Sequence, residues 1–263
     1  MEQVKAIVLR AAGINCDVET EFALQSAGAR AERIHINRLM EDVSILGDYQ
    51  ILVLPGGFSY GDDVAAGKIL ANQIVHHLAP AIRQFIDDGK LVLGICNGFQ
   101  VLVKTGILPG IGKGEISTKN QPVSITNNDS GKFEDRWVYL QPASQRCVFI
   151  NANRRIYLPI AHGEGKLVTK DAQTLEQLKS DGYIAFRYVD ADGNQGSFPI
   201  NPNGAVDSIA GLTDSTGRVL GLMPHPERFV HRTQHPHWTR LQNGDADGMT
   251  IFDNAARYVR ENL

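Results

Sequence analysis

Cysteine is scarce in this chain. Cys16, Cys96 and Cys147 are too few to close a disulfide framework, and their spacing fits no metal site. They imply a reducing, cytoplasmic setting. Charge of one sign is also lacking: the net charge is −3 and no basic face stands out, so nucleic acid is not an expected partner. No apolar run approaches the roughly 20 residues of a membrane span, and the opening residues Met1 to Lys5 do not have the character of a signal peptide. Internal repeats and low-complexity segments are absent as well. Phosphate loops fail too. The stretch Gly110-Ile111-Gly112-Lys113-Gly114 has no glycine at the required upstream spacing and no Ser or Thr after the lysine, and Glu115 breaks the dinucleotide pattern G-x-G-x-x-G as well. ATP therefore has no site in this chain.

What is present is enough for a sizeable core. With 263 residues and 43% hydrophobic content, one large α/β domain spanning 1–263 is the expectation, although about 150 residues per domain leaves room for two. Strands are predicted at 4–10, 33–36, 50–54 and 91–95. Helices are predicted at 16–27, capped by Asn15 or Asp17 and ended by Gly28, and at 80–88, ended by Gly89. That rhythm implies a doubly wound, mostly parallel sheet flanked by helices, with reactive residues at the strands' carboxyl ends. From about 115 to 215 the pattern changes to short strands at 122–127, 136–140, 146–150, 155–160 and 184–189, which read as an inserted antiparallel β segment. Strands at 209–213 and 219–223 resume the sheet, and an amphipathic helix at 249–262 closes it.

The chemistry is concentrated in two places. Gly94-Ile95-Cys96-Asn97-Gly98 follows the apolar Leu91-Val92-Leu93 and precedes a helix-forming stretch from Gln100 to Lys104, the pattern of a nucleophile elbow carrying cysteine. Such a turn lifts a thiol clear of the sheet at the positive end of a helix, where a thiolate is favoured. Pro224-His225-Pro226-Glu227 supplies a base and an acid to orient it: read as extended, residues two apart share a side, so Glu227 reaches the His225 nitrogen that faces away from the sulfur. A second glycine turn, Pro55-Gly56-Gly57-Phe58, follows the strand Leu52-Val53-Leu54. The amides of Gly57 and Asn97 are the candidate oxyanion donors. The histidines of 231–237 have no cysteine or well-placed carboxylate beside them and read as a solvated loop, and His76-His77 as helix surface.

The chain resembles the class I (triad-type) glutamine amidotransferases over nearly its whole length, and with them a flavodoxin-like glutaminase fold. Residues 94–100 (GICNGFQ), the Gly56-Gly57 turn and His225 with Glu227 carry the class. LPGGFSYGD at 54–62, SGKFE at 130–134, IAHGEG at 160–165, NPNG at 201–204 and MPHPER at 223–228 make it similar to one branch, the glutaminase subunits of phosphoribosylformylglycinamidine synthases. The polar stretch 229–248 is longer than in the shortest members and has no assigned role.

That resemblance implies that Cys96 attacks the side-chain amide of glutamine, that His225 carries protons, and that Glu227 fixes the imidazole. It implies substrate contacts from Gln100, Phe58 and His162, with Phe133 and Glu134 on a docking or recognition surface. It implies no metal or cofactor in this chain, and partners in a large synthetase subunit bearing ATP and magnesium and a small third subunit. A glutaminase serving another ammonia-channelling synthetase, or a non-catalytic module of the same fold, are the competing readings. An α/β-hydrolase is disfavoured because its acid precedes the histidine, whereas Glu227 follows His225.

Overall fold

The computed structural model describes residues 3–111, 116–151, 154–240 and 246–263. The glycine-lysine stretch dismissed above as a phosphate loop lies partly outside these residues, as does part of 229–248.

A nine-stranded sheet organises the molecule in the order β2-β1-β3-β4-β11-β10-β9-β6-β7. Its first half contains β1 (Lys5–Arg10), β2 (Arg30–His35), β3 (Ile51–Leu54), β4 (Leu91–Ile95) and β11 (Val219–Leu222). All five are parallel. The central strands β3, β4 and β11 are short apolar runs buried at every position, as a sheet covered on both faces demands. At the edge, β2 buries Ala31 and Ile34 and leaves its ends Arg30 and His35 exposed. Helices α1 (Asp17–Ser26), α2 (Ile36–Glu41), α3 (Lys68–Gln73), α4 (Ala79–Asp87) and α5 (Asn97–Lys104) connect them.

The other half is antiparallel. Strand β10 (Ile209–Thr213) turns back on β11, and β9 (Ile184–Val189), β6 (Glu134–Pro142) and β7 (Ile156–His162) extend the sheet beyond it. Among the described residues, only β5 (Val123–Asn127) and β8 (Glu164–Thr169) form a separate small sheet. The predicted insert is therefore mostly a continuation of the main sheet. Helix α6 (Ala172–Ser180) follows β8, and α7 (Met249–Asn262) packs against α1.

Several local expectations need correction. Residues 146–150 form turns rather than a strand. Cys147 and Phe149 are buried, but the segment is held by single bonds, Val148 N–H to Gly217 O (3.0 Å) and Asn254 Nδ2 to Phe149 O (3.0 Å). Neither Asn15 nor Asp17 caps α1. Cys16 is the N-cap and its side chain makes no capping bond to the helix backbone, while Asp17 is drawn into ion pairs with Arg10 (2.8 Å) and Arg33 (3.4 Å). Ile36 opens α2 instead of ending β2, because the His35 side chain accepts from Asn37 N–H at 3.2 Å and caps that helix. The histidines 76 and 77 are exposed, as expected.

Candidate active site

Strands β3, β4 and β11 are neighbours, and their carboxyl ends deliver the glycine turn, the cysteine and the histidine to one place. Cys96 stands at the N-cap of α5 with φ +50° and ψ −105°, a conformation that side chains rarely adopt. Packing imposes it. A Cβ on Gly98 would lie 1.8 Å from the Leu54 carbonyl oxygen, so the helix meets β3 backbone to backbone. The Cys96 amide donates to Leu222 O at 2.8 Å, and its sulfur lies 3.7 Å from Ala161 O at the end of β7.

His225 is held from the far side of the sheet, its amide donating to Pro159 O of β7 at 2.8 Å. Its Nδ1 lies 2.6 Å from Glu227 Oε1, and both side chains are buried. The route differs from the predicted one: residues 226–228 form a 3₁₀ turn, not an extended segment, and the turn swings Glu227 back onto the ring. Burial pushes the His225 pKa down, but the Glu227 charge and then that of Cys96 outweigh it, leaving the ring well above its ordinary value. With Nδ1 taken by the carboxylate, Nε2 is left without a well-formed bond.

The glycine turn closes the opposite wall. Gly57 has φ +142°, and a Cβ there would lie 2.8 Å from Asn15 N and Ile14 Cα, so no other residue fits. The bonds that pin this turn come from its neighbours: Phe58 N–H to Gly13 O (3.0 Å) and Cys16 N–H to Gly56 O (3.3 Å). Asn97 lies in the first turn of α5, where backbone N–H groups have no intrahelical acceptor.

Between these parts is a cavity of about 200 Å³ whose lining includes Gly57, Phe58, Cys96, Gln100 and His162. Asp62 and Glu164 also line it, and neither was singled out from the sequence as a site residue, although both lie in the motifs quoted above. Gln100 ties the walls together. Its Nε2 donates to Glu164 O (2.6 Å), and its Oε1 accepts from Asn97 Nδ2 (2.9 Å). Asn97 also donates to Asp62 Oδ1 (3.2 Å) and accepts from Ser59 N–H (3.2 Å). Burial raises the Asp62 pKa, helped by the nearby Glu164 charge. Phe58 and Phe133 stand half-exposed at the rim, ring centroids 6.4 Å apart.

His162 is buried beside this cavity. Its Nδ1 is 3.1 Å from Asn128 Oδ1, an oxygen that also accepts from Gly165 N–H (3.0 Å). Asn128 Nδ2 donates to Lys132 O and His162 O, which fixes the amide's orientation. Nδ1 must therefore carry the proton, and Nε2 is an unpartnered lone pair. Burial, and then the positive charge of His225, lower its pKa to about 4.

Among the described residues, ligand atoms of Cys16, His225 and Glu227 come within 4.8 Å of one another. Arg228 Nη2 lies 3.2 Å from that sulfur, placing a fixed positive charge where a cation would have to bind. No helix among the described residues is long and apolar enough to cross a membrane.

Residues 3–259 match the family of CobB/CobQ-like glutamine amidotransferase domains, and the chain belongs to that family. Its relatives narrow the placement. It is 46% identical to a phosphoribosylformylglycinamidine synthase subunit PurQ of Dehalococcoides mccartyi, over 99% of this chain and all of the relative. It is 40% identical to a protein of the same name from Methanococcus maripaludis, over 98% of each. Among solved structures it is similar to a chain of PurLQS from Thermotoga maritima, with TM-score 0.71 and 29% identity over 98% of this chain and 100% of that one.

Proposed function

We propose that this chain, read as one domain over 1–263, is the glutaminase component of a phosphoribosylformylglycinamidine synthase. It releases ammonia from glutamine for a synthetase partner in purine biosynthesis. One observation carries the reading: a strained elbow cysteine faces a buried histidine whose far nitrogen is bound to Glu227 at 2.6 Å, beside a cavity with a free lone pair and two carboxylates.

His225 Nε2 takes the Cys96 thiol proton, and Glu227 balances the imidazolium that forms. The thiolate attacks the side-chain carbonyl carbon of glutamine, and the oxyanion is met by the amides of Gly57 and Asn97. His225 then returns its proton to the amide nitrogen, which departs as ammonia and leaves a glutamyl thioester on Cys96. Water, deprotonated by His225, attacks the thioester. Collapse releases glutamate and restores the thiol.

Asp62 and Glu164 suit the α-ammonium of the substrate, which distinguishes an amino acid from a simple amide. Phe58 packs on it, and Gln100 holds the wall it rests on. His162, neutral at pH 7, offers an acceptor for an amide or ammonia N–H without a proton to give. That matters because ammonium is no nucleophile. The product must then leave under cover, past the Phe58–Phe133 rim, to a large synthetase subunit with a small third subunit, as in the PurLQS assembly. ATP and magnesium belong to that partner, this chain needs no cofactor, and the setting is cytoplasmic.

Cys96→Ala tests the reading in the assembled complex. Glutamine-dependent amidine formation should vanish, while formation from added ammonium salt persists. Loss of both in an intact complex would mean that this chain does more than supply ammonia.

A further inference from the structure

Behind the triad lies a second cysteine that the mechanism does not use. Cys16 is 1% exposed and sits at the N-cap of α1. Its sulfur accepts from Arg228 Nη2 at 3.2 Å and donates to Asn15 Oδ1 at 3.3 Å. A Cβ on Gly56 would touch both His225 Cε1 (2.8 Å) and Cys16 Sγ (3.1 Å), so sulfur and imidazole lie side by side under the same turn. Arg228 is anchored a second time, Nε donating to Glu19 Oε1 at 2.9 Å.

The arrangement answers a weakness in the triad. Glu227 is bound to His225 through Oε1 alone, while Oε2 is buried without a hydrogen-bond partner. One contact does not stop a carboxylate from rotating off the ring. The residue after it, however, is pinned through Cys16 and Glu19 to α1, and the Cys16 sulfur fills the space beside the imidazole.

We propose that Cys16 is a positioning residue for the triad, its sulfur and the Arg228 guanidinium forming a clamp that keeps Glu227 on His225 and so fixes the reactive tautomer. Burial raises the Cys16 pKa against the opposing pull of His225, so the residue is a neutral thiol at pH 7 and takes no share of the imidazole's proton. The charged and titratable groups facing His225 are Glu227 on its own loop, Cys16 at the start of α1, Cys96 from the elbow, and His162 from β7, with Arg228 on the Cys16 sulfur and Glu19 on Arg228.

The inference rests on the triad as assigned, and the test separates the two. Cys16→Ala, Cys16→Ser, Arg228→Gln and Cys96→Ala are compared in the assembled complex, with active sites counted by a thiol-reactive glutamine analogue for all but the last. Rates per site are taken from pH 5.5 to 9. Cys16→Ala should lower kcat about tenfold, the scale on which outer-shell partners act, with KM for glutamine within about twofold. It should also move the acid limb of the kcat profile, since a loosened Glu227 no longer holds the His225 pKa up. Cys16→Ser keeps both hydrogen bonds and should return to within about threefold of the parent. Arg228→Gln removes the clamp's other arm, should reproduce the pH shift, and carries the test if Cys16→Ala does not fold. A purely structural cysteine would change the number of active sites and the melting temperature but not the per-site pH profile, and that result overturns the clamp. If Cys96→Ala still consumes glutamine, the triad falls and the clamp with it.

Discussion

Two buried histidines stand within electrostatic reach of each other, and their surroundings make opposite reagents of them. At the β11 end, His225 offers Nδ1 to a carboxylate, and its pKa rises well above the ordinary value. At the β7 end, His162 offers Nδ1 to a carboxamide, and burial takes its pKa down to about 4. Burial alone would discharge both rings. One negative charge at hydrogen-bond distance decides which ring is held charged and which stays neutral, the difference that the proposed roles of proton carrier and bare acceptor require.

The largest effect expected from breaking this contrast is at His225. His225→Ala should cost about 10⁶-fold in glutamine-dependent turnover and Glu227→Gln about 10⁴-fold, with the double variant no slower than His225→Ala alone. Steady-state rates on the four proteins with partner present decide it. A double variant slower by the product of the single losses would separate Glu227 from His225. Next comes the oxyanion wall: Gly57→Val should lower kcat about 100- to 1000-fold with a smaller change in KM, and a variant within about threefold of the parent would place the donors elsewhere.

His162 governs a third effect, on stability rather than rate. Its pKa in the folded chain lies below its unfolded value of about 6.5, so above that pH both states are neutral and nothing is lost. As pH falls from about 6.5 to 4 the unfolded chain takes a proton that the folded site refuses, and stability declines by up to about 3 kcal/mol. His162→Gln should remove that slope, seen as a smaller difference between denaturation midpoints at pH 7 and pH 4.5. His225 contributes with the opposite sign, its stabilisation fading as pH rises through its raised pKa. The smallest effect sharpens the comparison most. Asn128→Asp gives His162 a carboxylate partner and should raise its titration by roughly two units, read by ring-nitrogen NMR, with about a tenfold loss of turnover at pH 7. An unmoved titration would mean that the amide was never the reason His162 stays neutral.

The sequence made the parallel half of this fold legible because a strand covered on both faces is an unbroken apolar run, as in Leu91-Val92-Leu93. The elbow was legible for a related reason, since Gly94 and Gly98 mark where backbones meet. The antiparallel half was read less well. The short strands β6, β7 and β9 are legible as strands, but not as part of the main sheet, because a strand's partners leave no trace in its own pattern. The run 146–150 has the composition of a strand and is buried by a turn and by α7 instead. Glu227 meets His225 as the spacing suggests, but through a different backbone, since a 3₁₀ turn and an extended segment bring the same side chain to the same ring. Cys16 carried no signal at all, its meaning lying in Arg228 far along the chain.

Pairing of β4 with β11 also governs timing. Val92 lies beside Val219, so the strand that leads into Cys96 waits for a segment synthesised much later, and β11 must enter the middle of the sheet rather than its edge. Long-range pairing of this kind forms late. A chain still emerging from the ribosome has its cysteine but neither the histidine nor the strand that seats it. On the proposed mechanism, hydrolysis is thereby withheld until β11 and His225 have been made, and copies that lack them consume no glutamine.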